Sequence, residues 1–255
     1  MIRKPPVQTD TLFDQTNVTS PSPDLVTVAV SSYNYARFLP ECLESIEAQH
    51  HSSLDIIVVD DVSPSDDSVA VVHEWLSQHA ARFGRALLLK HRRNQGLAQS
   101  RNTAFAHARS EYVFVIDSDN AIYPRAVSRL YEVAKGEGFA GAYSQLEIFD
   151  AARGLGSADI WRQEWLRRGN YIDAMALVSK SAWTKVGGYS DRQGWEDYDL
   201  WCKFIEEGLT AAFVPEILCR YRRHQGSMGD TTTRAQYAEM IIEMTRHHPW
   251  LDLRL

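Results

Sequence analysis

Cysteine is scarce. Cys42, Cys202 and Cys219 are the only three in 255 residues, they lie far apart, and no pair has the Cys-x-x-Cys spacing of a metal or redox site. An odd number of scattered thiols suits a reducing compartment, and all three read as core residues. Long apolar runs are absent too, none approaching the ~20 residues of a membrane helix. The opening Met1-Ile2-Arg3-Lys4-Pro5-Pro6 has no apolar stretch behind its charges, unlike a secretory leader. The expected location is the cytoplasm, with contact at the inner face of a membrane left open. Positive charge is not in excess: 27 Lys and Arg face 33 Asp and Glu, for a net charge of −6. Nucleic acid is therefore not an expected partner, because phosphate backbones are held by clustered positive charge. One local basic run remains, Arg220, Arg222, Arg223 and His224. No Walker loop occurs. Gly136-Glu137-Gly138-Phe139-Ala140-Gly141 fits G-x-G-x-x-G, but that fingerprint must follow a strand and open a helix. Here it closes a helix and reads as a turn.

Hydrophobic residues make up 44% of the chain, enough for one sizeable α/β domain. Residues 1–24 are rich in Thr, Pro, Asp and Ser without hydrophobic period and read as a flexible tail. The sequon Asn17-Val18-Thr19 within them reads as coincidence. An alternation of short apolar runs and helical spacings then begins. Strands are expected at Leu25–Ser31, Asp55–Asp60, Ala86–Leu89 and Tyr112–Ile116. Between them fall a helix carrying Leu39, Leu43 and Ile46, a helix opened by Asp67 with Val69, Val72 and Leu76 inward, and a helix over Gly96–Ala108. This pattern predicts βαβ units and a mostly parallel central sheet. Residues 151–172 lose the period and read as an irregular segment lining a site. A strand near Ala176–Val178, a helix over Asp197–Glu207, a strand near Ala211–Val214 and a last helix over about Thr231–His247 complete the expectation. The main domain spans residues 25–230, divided into 25–120 and 121–230, with a C-terminal helix in 231–255. His50, His51, His247 and His248 read as surface residues.

Ligands of parallel α/β sheets bind beyond the carboxyl ends of the strands. Those ends here are Ser31-Ser32-Tyr33-Asn34, Asp60-Asp61-Val62-Ser63 and Asp117-Ser118-Asp119-Asn120. Four carboxylates along one sheet edge repel one another unless a cation or ligand donors neutralise them. Asp60 alone reads as a turn residue. Asp117 and Asp119 together suit a hard divalent cation, since Mg²⁺ and Mn²⁺ are commonly held by one or two carboxylates plus substrate phosphates.

Several motifs stand in one order: Val28-Ala29-Val30-Ser31-Ser32-Tyr33-Asn34, then Ile57-Val58-Val59-Asp60-Asp61-Val62-Ser63, then Asn94-Gln95-Gly96-Leu97-Ala98 with Ser100-Arg101-Asn102. Asp117-Ser118-Asp119 and Gly194-Trp195-Glu196-Asp197-Tyr198-Asp199-Leu200-Trp201 follow. Together they resemble glycosyltransferase family 2, over about Leu25 to Ser227. The resemblance implies a GT-A fold, a Rossmann-like three-layer sandwich. It also implies an inverting hexosyltransferase that takes a nucleoside-diphosphate sugar, often UDP-linked, with Mn²⁺ or Mg²⁺. The acceptor would be a saccharide or glycoconjugate, lipid-linked acceptors included. By the same resemblance, Ser31 and Tyr33 would hold the nucleobase and Asp61 would accept a hydrogen bond from it. Arg101 and Asn102 would sit by the donor, Asp117 near the ribose or metal, and Asp119 would be the metal ligand. Asp197 matches the family's base, with Glu196 beside it. Tyr221-Arg222-Arg223-His224 with Ser227 resembles the late loop, where a His can join the metal and basic groups meet the diphosphate. Val62 departs from the family's usual Gly, which puts the turn's geometry in question, and Asn120 stands for a frequent third Asp.

Alternatives stay open on residues alone. Glu196 and Asp197 could instead cap the helix and complement its dipole. Trp195 could stack on an acceptor sugar or pack in the core, and His224 could be a metal ligand or an ordinary loop residue. Specificity is expected in residues 145–172 and 189–196. A nucleotidyltransferase would carry a Gly-rich basic loop after the first strand, which is missing here, and a binding module without turnover would not need both Asp119 and Asp197.

Overall fold

The computed structural model describes residues 7–192, 194–225 and 232–254. The elements run β1 (Thr9–Thr16), β2 (Val26–Ser32), α1 (Leu39–Glu47), β3 (Leu54–Asp60), α2 (Ser68–His79), β4 (Arg85–His91), α3 (Leu97–His107) and β5 (Tyr112–Asp117). They continue through β6 (Ala121–Ile122), α4 (Ala126–Glu137), β7 (Gly141–Asp150), β8 (Gly154–Leu155), α5 (Gln163–Leu166), β9 (Ala176–Ser179), α6 (Lys180–Lys185), α7 (Glu196–Glu206), β10 (Ala211–Arg223) and α8 (Arg234–His247).

A ten-stranded sheet in the order β1-β4-β3-β2-β5-β9-β7-β10-β6, with β8 beside β7, forms the middle layer. β2, β3, β4 and β5 are parallel neighbours, and β7 is parallel to β10. β9 joins the two sets antiparallel to both. Side chains alternate across this sheet as the two-residue period requires. Val26, Val28 and Val30 of β2, with Ile56 and Val58 of β3 and Phe114 and Ile116 of β5, meet Leu39, Leu43, Ile46, Val72, Leu76, Val127 and Leu130 from α1, α2 and α4. Ala29, Ile57, Val59, Val113 and Val115 face the other way, onto Ala98, Ala104, Phe105, Tyr198, Trp201 and Phe204 from α3 and α7. The result is the expected three-layer GT-A sandwich.

The strand order reverses at β2, which pairs β3 on one side and β5 on the other. The chain leaves β2 toward β3 on one side and leaves β5 toward β6 on the other, and in such sheets a ligand crevice lies at the carboxyl ends of the strands where the order reverses. The three acid-rich or polar ends, of β2, β3 and β5, lie side by side there.

Three sequence expectations change. Residues 9–16 are a strand, not tail: β1 pairs antiparallel with β4 from Thr9 opposite His91 to Thr16 opposite Arg85. An edge strand is held by its backbone ladder and needs no apolar face, so its mostly exposed side chains carried no period. β10 extends to Arg223, through register shifts around Ile217, beyond the short apolar strand near Ala211–Val214. His248 is buried, 2% exposed, for reasons given below. The three thiols are buried and free, and Gly138 ends α4 at φ 69°, the left-handed cap that makes the glycine-rich stretch a turn. Among the described residues no helix is long and apolar enough to cross a membrane.

Candidate active site

The Asp60–Ser63 turn closes the end of β3. Asp60 accepts the N–H groups of Val62 and Ser63 at 3.0 and 3.1 Å and the Ser63 hydroxyl at 2.5 Å, so it is the turn residue its position suggested. Val62 adopts φ 65°, the left-handed conformation that the usual Gly would adopt without strain. The turn therefore keeps its shape with Val in place. Asp61 is occupied inside the fold. It accepts N–H from Gln95 at 2.8 Å and Gly96 at 2.7 Å, and lies 2.6 Å from His91 Nδ1. His91 Nε2 in turn lies 2.9 Å from Thr103 Oγ1. These bonds fix the turn into α3, leaving Asp61 little capacity for another donor. Tyr33, by contrast, is 45% exposed, and the buried Ser31 accepts the Ser118 N–H through its carbonyl, tying β2 to the Asp117–Asn120 loop at 3.1 Å.

That loop carries the acids. Asp117 takes both of its bonds from one Arg101 nitrogen, at 3.1 and 3.0 Å. Arg101 is buried in α3 with its charge held by Asp117 against the cost of burial, and the same charge acts on Glu196 and Asp197. Asp119 meets His224, Nε2 to Oδ2 3.2 Å, so the sequence-distant pair is brought together. Burial, and then the neighbouring Asp117, raises the Asp119 carboxyl above its ordinary range. The loop is braced by Arg222, whose Nε donates to the Asp119 carbonyl at 2.8 Å and whose N–H donates to Asn120 Oδ1 at 2.9 Å. Asn120 is thus suited to its place as a neutral acceptor. The rest of the Arg222 guanidinium goes to Asp150 and Glu41, and Arg220 pairs with Glu41 and Glu147. Arg222 thus holds the loop directly, while Arg220 is engaged by Glu41 and Glu147. Ser227 lies outside the described residues.

A second cluster gathers at the start of α7. Gly194 at φ 84° and Trp195 at φ 59° make a left-handed turn, and Trp195, not an acid, holds the N-cap position. Glu196 accepts the Gly194 N–H at 3.0 Å and closes the turn. Asp197 does something else: its Oδ2 accepts from Asn170 Nδ2 at 2.9 Å. Burial raises both carboxyls, with Arg101 opposing the shift. Trp195 packs edge-on against Tyr198 and Tyr237. Asn102 is spent on structure, bonding Tyr189 O, Tyr189 N and Trp183 Nε1. Asp199 is fully buried among Arg192, Lys203 and His248.

Two residues escaped the sequence reading. Asn170 sits in the irregular 151–172 segment, which was recognised as a lining but offered no period to single out a member. Asp173, just beyond it, accepts the Met175 N–H at 2.8 Å. Burial, then Asp197 and Asp117, pushes its carboxyl up to about 7 while Arg101 opposes.

A mostly parallel central sheet flanked by helices on both faces is the GT-A-like fold. The family model described as "Glycosyl transferase family 2" matches residues 27–190, and the chain belongs to that family. A glycosyltransferase of Nostoc sp. is 33% identical over 125 residues, covering 49% of this chain and 37% of that protein. Glycosyltransferase GlyG of Streptococcus pneumoniae is 24% identical over 87% of this chain and 78% of its own length. Among solved structures, S. aureus TarS 1-349 in complex with UDP-GlcNAc superposes with a TM-score of 0.70 at 14% identity, over 86% of this chain and 64% of that one. The mannosyltransferase PcManGT from Pyrobaculum calidifontis, in complex with GDP-Man and Mn2+, gives 0.68 at 19% identity, over 91% and 67%.

Proposed function

We propose that this chain transfers a sugar from a nucleoside-diphosphate sugar, UDP-linked by preference, to a hydroxyl of a saccharide or glycoconjugate, inverting the anomeric centre. One observation carries the reading. Arg101, bonded to Asp117 in the loop that carries the Asp119–His224 pair, also acts with its charge on the Asn170-held Asp197, which links the two clusters electrostatically.

The donor's nucleotide would lie over the carboxyl ends of β2 and β3, where Tyr33 offers an exposed ring for a base and Ser31 a polar floor. Asp61 would contribute there mainly by holding the Gln95–Gly96 turn. Asp119 and His224 fit a divalent cation: they offer one oxygen and one nitrogen donor, close together and mostly shielded, while the carboxylate lacks full compensation. Among the described residues no group of three or more such ligands exists, which suits Mn²⁺ or Mg²⁺ sites completed by substrate phosphates and water. Such an ion, when bound, would neutralise charge on the departing diphosphate.

The acceptor would enter beside residues 145–172 and 189–196. Its hydroxyl oxygen attacks the anomeric carbon from the face opposite the diphosphate, whose glycosidic oxygen leaves with the bonding electrons. The hydroxyl proton passes to Asp197. A carboxylate desolvated in this way is a stronger base than one in water, which matches the task. Asn170 fixes its direction, Glu196 fixes the turn that presents it, and Arg101 opposes the rise that burial gives its carboxyl. Trp195 packs on its neighbours' rings and supports the turn. Peripheral contact with a membrane carrying a lipid-linked acceptor, from the cytoplasmic side, is compatible with this arrangement.

A thermal-shift panel of UDP-, GDP- and dTDP-sugars with Mn²⁺ tests the reading. A ligand at about 100 times its Kd stabilises by about 2.7 kcal/mol, or roughly 5–10 °C for a domain of this size. Wild type should show this shift with one nucleotide class and lose it in chelator, and Asp119→Ala should lose it while keeping its apo melting point. Equal stabilisation of wild type and Asp119→Ala would overturn the metal assignment.

A further inference from the structure

His248 ends α8 and is buried between two carboxylates of α7. Its Nδ1 lies 2.7 Å from Glu206 Oε1 and its Nε2 lies 3.1 Å from Asp199 Oδ1. A carboxylate oxygen only accepts, so both ring nitrogens must carry protons for both contacts to be hydrogen bonds. The geometry therefore calls for an imidazolium. Arg192 Nε and Lys203 Nζ complete the surroundings of Asp199 at 3.0 and 2.8 Å, and Trp250 Nε1 donates to Glu206 at 2.9 Å. We propose that His248 is a positioning residue for the Asp197 base, latching the C-terminal segment across α7 so that the turn presenting the base is held only while the imidazole carries both protons.

The latch reaches the base by several links. Asp199 stands two residues after Asp197, and its N–H donates to the Trp195 carbonyl at 2.9 Å. Lys203, ion-paired with Asp199, donates to Gly188 O and Ser190 Oγ in the loop that leads into the turn. Beyond His248, the Asp252 N–H donates to the Arg167 carbonyl at 2.8 Å, and Tyr198 bonds the Leu166 carbonyl. That stretch leads directly to Asn170, which holds Asp197. Even the turn's glycine is fitted to α8, since a Cβ on Gly194 would lie 2.8 Å from Met240 Cε. On losing one proton, the ring would turn a lone pair toward a buried carboxylate and leave it short of a donor.

The direction with pH follows. Burial lowers the His248 pKa, but Asp199 and Glu206 outweigh it and the net shift is upward from 6.5. A raised folded-state value means that the latch is complete below the ordinary histidine range and is lost as pH rises through the raised value. Asp199, held below the usual carboxylate range by His248 and Lys203 against burial, stays ionised throughout.

This inference rests on the assignment of Asp197 as base, so its test has a second, activity-free arm. Wild type, His248→Ala and Glu206→Gln are compared from about pH 6 to 9, spanning the ordinary histidine pKa, by kcat and donor KM and by hydrogen exchange of the residue 195–199 amides, corrected for intrinsic rates. Glu206→Gln lets a neutral ring keep both contacts, because the amide can donate to Nδ1 while Nε2–H serves Asp199. Wild-type kcat should fall at least about fivefold with rising pH, the lower end for coupled sites, with donor KM unchanged and exchange at 195–199 rising over the same interval. Glu206→Gln should lack both changes, and His248→Ala should be slow and fast-exchanging at every pH. The same alkaline loss in Glu206→Gln as in wild type, or wild-type exchange that ignores pH, would overturn the latch. If no form turns over any donor, the functional reading fails while exchange still decides whether His248 orders the turn.

Discussion

Val62 and Trp195 hold φ of 65° and 59°, one just after β3 and one at the start of α7, and neither is a residue that favours the left-handed region. At Val62 the conformation is forced by three bonds to Asp60. Such strain costs about 1–3 kcal/mol, and glycine would remove it at an entropic cost of about 0.4–1 kcal/mol. Val62→Gly should therefore stabilise the chain by about 1 kcal/mol, raising Tm by roughly 2–4 °C, with donor affinity nearly unchanged. A lower Tm in calorimetry would mean that the valine side chain contributes packing that outweighs the strain. Trp195 differs: its ring is packed against Tyr198 and Tyr237, so replacing it would remove contacts together with strain.

At the scale of elements, the parallel strands could be read from sequence because each is buried on both faces and so appears as an unbroken apolar run. β1 could not, since its side chains are mostly exposed and only Phe13 packs against the core, and the polar end of β10 could not, since Arg220 and Arg222 form ion pairs with Glu41, Glu147 and Asp150 rather than core contacts. The site divides in the same way. Asp117 and Asp119 follow a strand and stand out by position, Arg101 and Asp197 are singled out only by the family resemblance, and Asn170 and Asp173 lie in a segment without period. His248 looked superficial in His247-His248-Pro249 because its two partners come from α7, more than forty residues away. Asn17, just after β1, gives an element-scale test. Its amide donates to Ala80 O and Phe83 O at 2.8 Å each, so its side chain docks the strand's exit onto the turn after α2. Asn17→Ala should cost about 1 kcal/mol, read as a lower urea midpoint at unchanged slope, and no change in midpoint would show that water replaces both bonds.

For the whole molecule, several carboxyls near the strand ends and the start of α7 bind their protons more tightly than in water. Asp119, Asp173, Glu196 and Asp197 are all raised, mainly by burial. A raised folded-state pKa contributes stability below the ordinary carboxylate value that is lost as pH rises through the raised value. His248 adds the same sign in the neutral range, and Asp199, which is depressed, adds the opposite sign only in stronger acid. The apo protein should thus melt higher at about pH 5.5 than at about pH 8. Asp173→Asn should shrink that difference, because Asp173 titrates up to about 7 in the fold. An apo protein that is more stable at the alkaline end would contradict this balance of charges.

The same desolvation underlies the base role proposed for Asp197, and its replacement tests the account most directly. Asp197→Asn keeps the shape, the Tyr198 N–H contact and the place in the first turn of α7. Folding and donor Kd should therefore stay near wild type. Turnover should fall by about 10²- to 10⁴-fold, the usual contribution of a positioned base, or roughly 3–5 kcal/mol of barrier. The decisive measurement is kcat for Asp197→Asn, taken with donor Kd and Tm on the same preparation. A kcat within about tenfold of wild type, less than a lost base should cost, would contradict the assignment and leave Asp197 a helix-end residue.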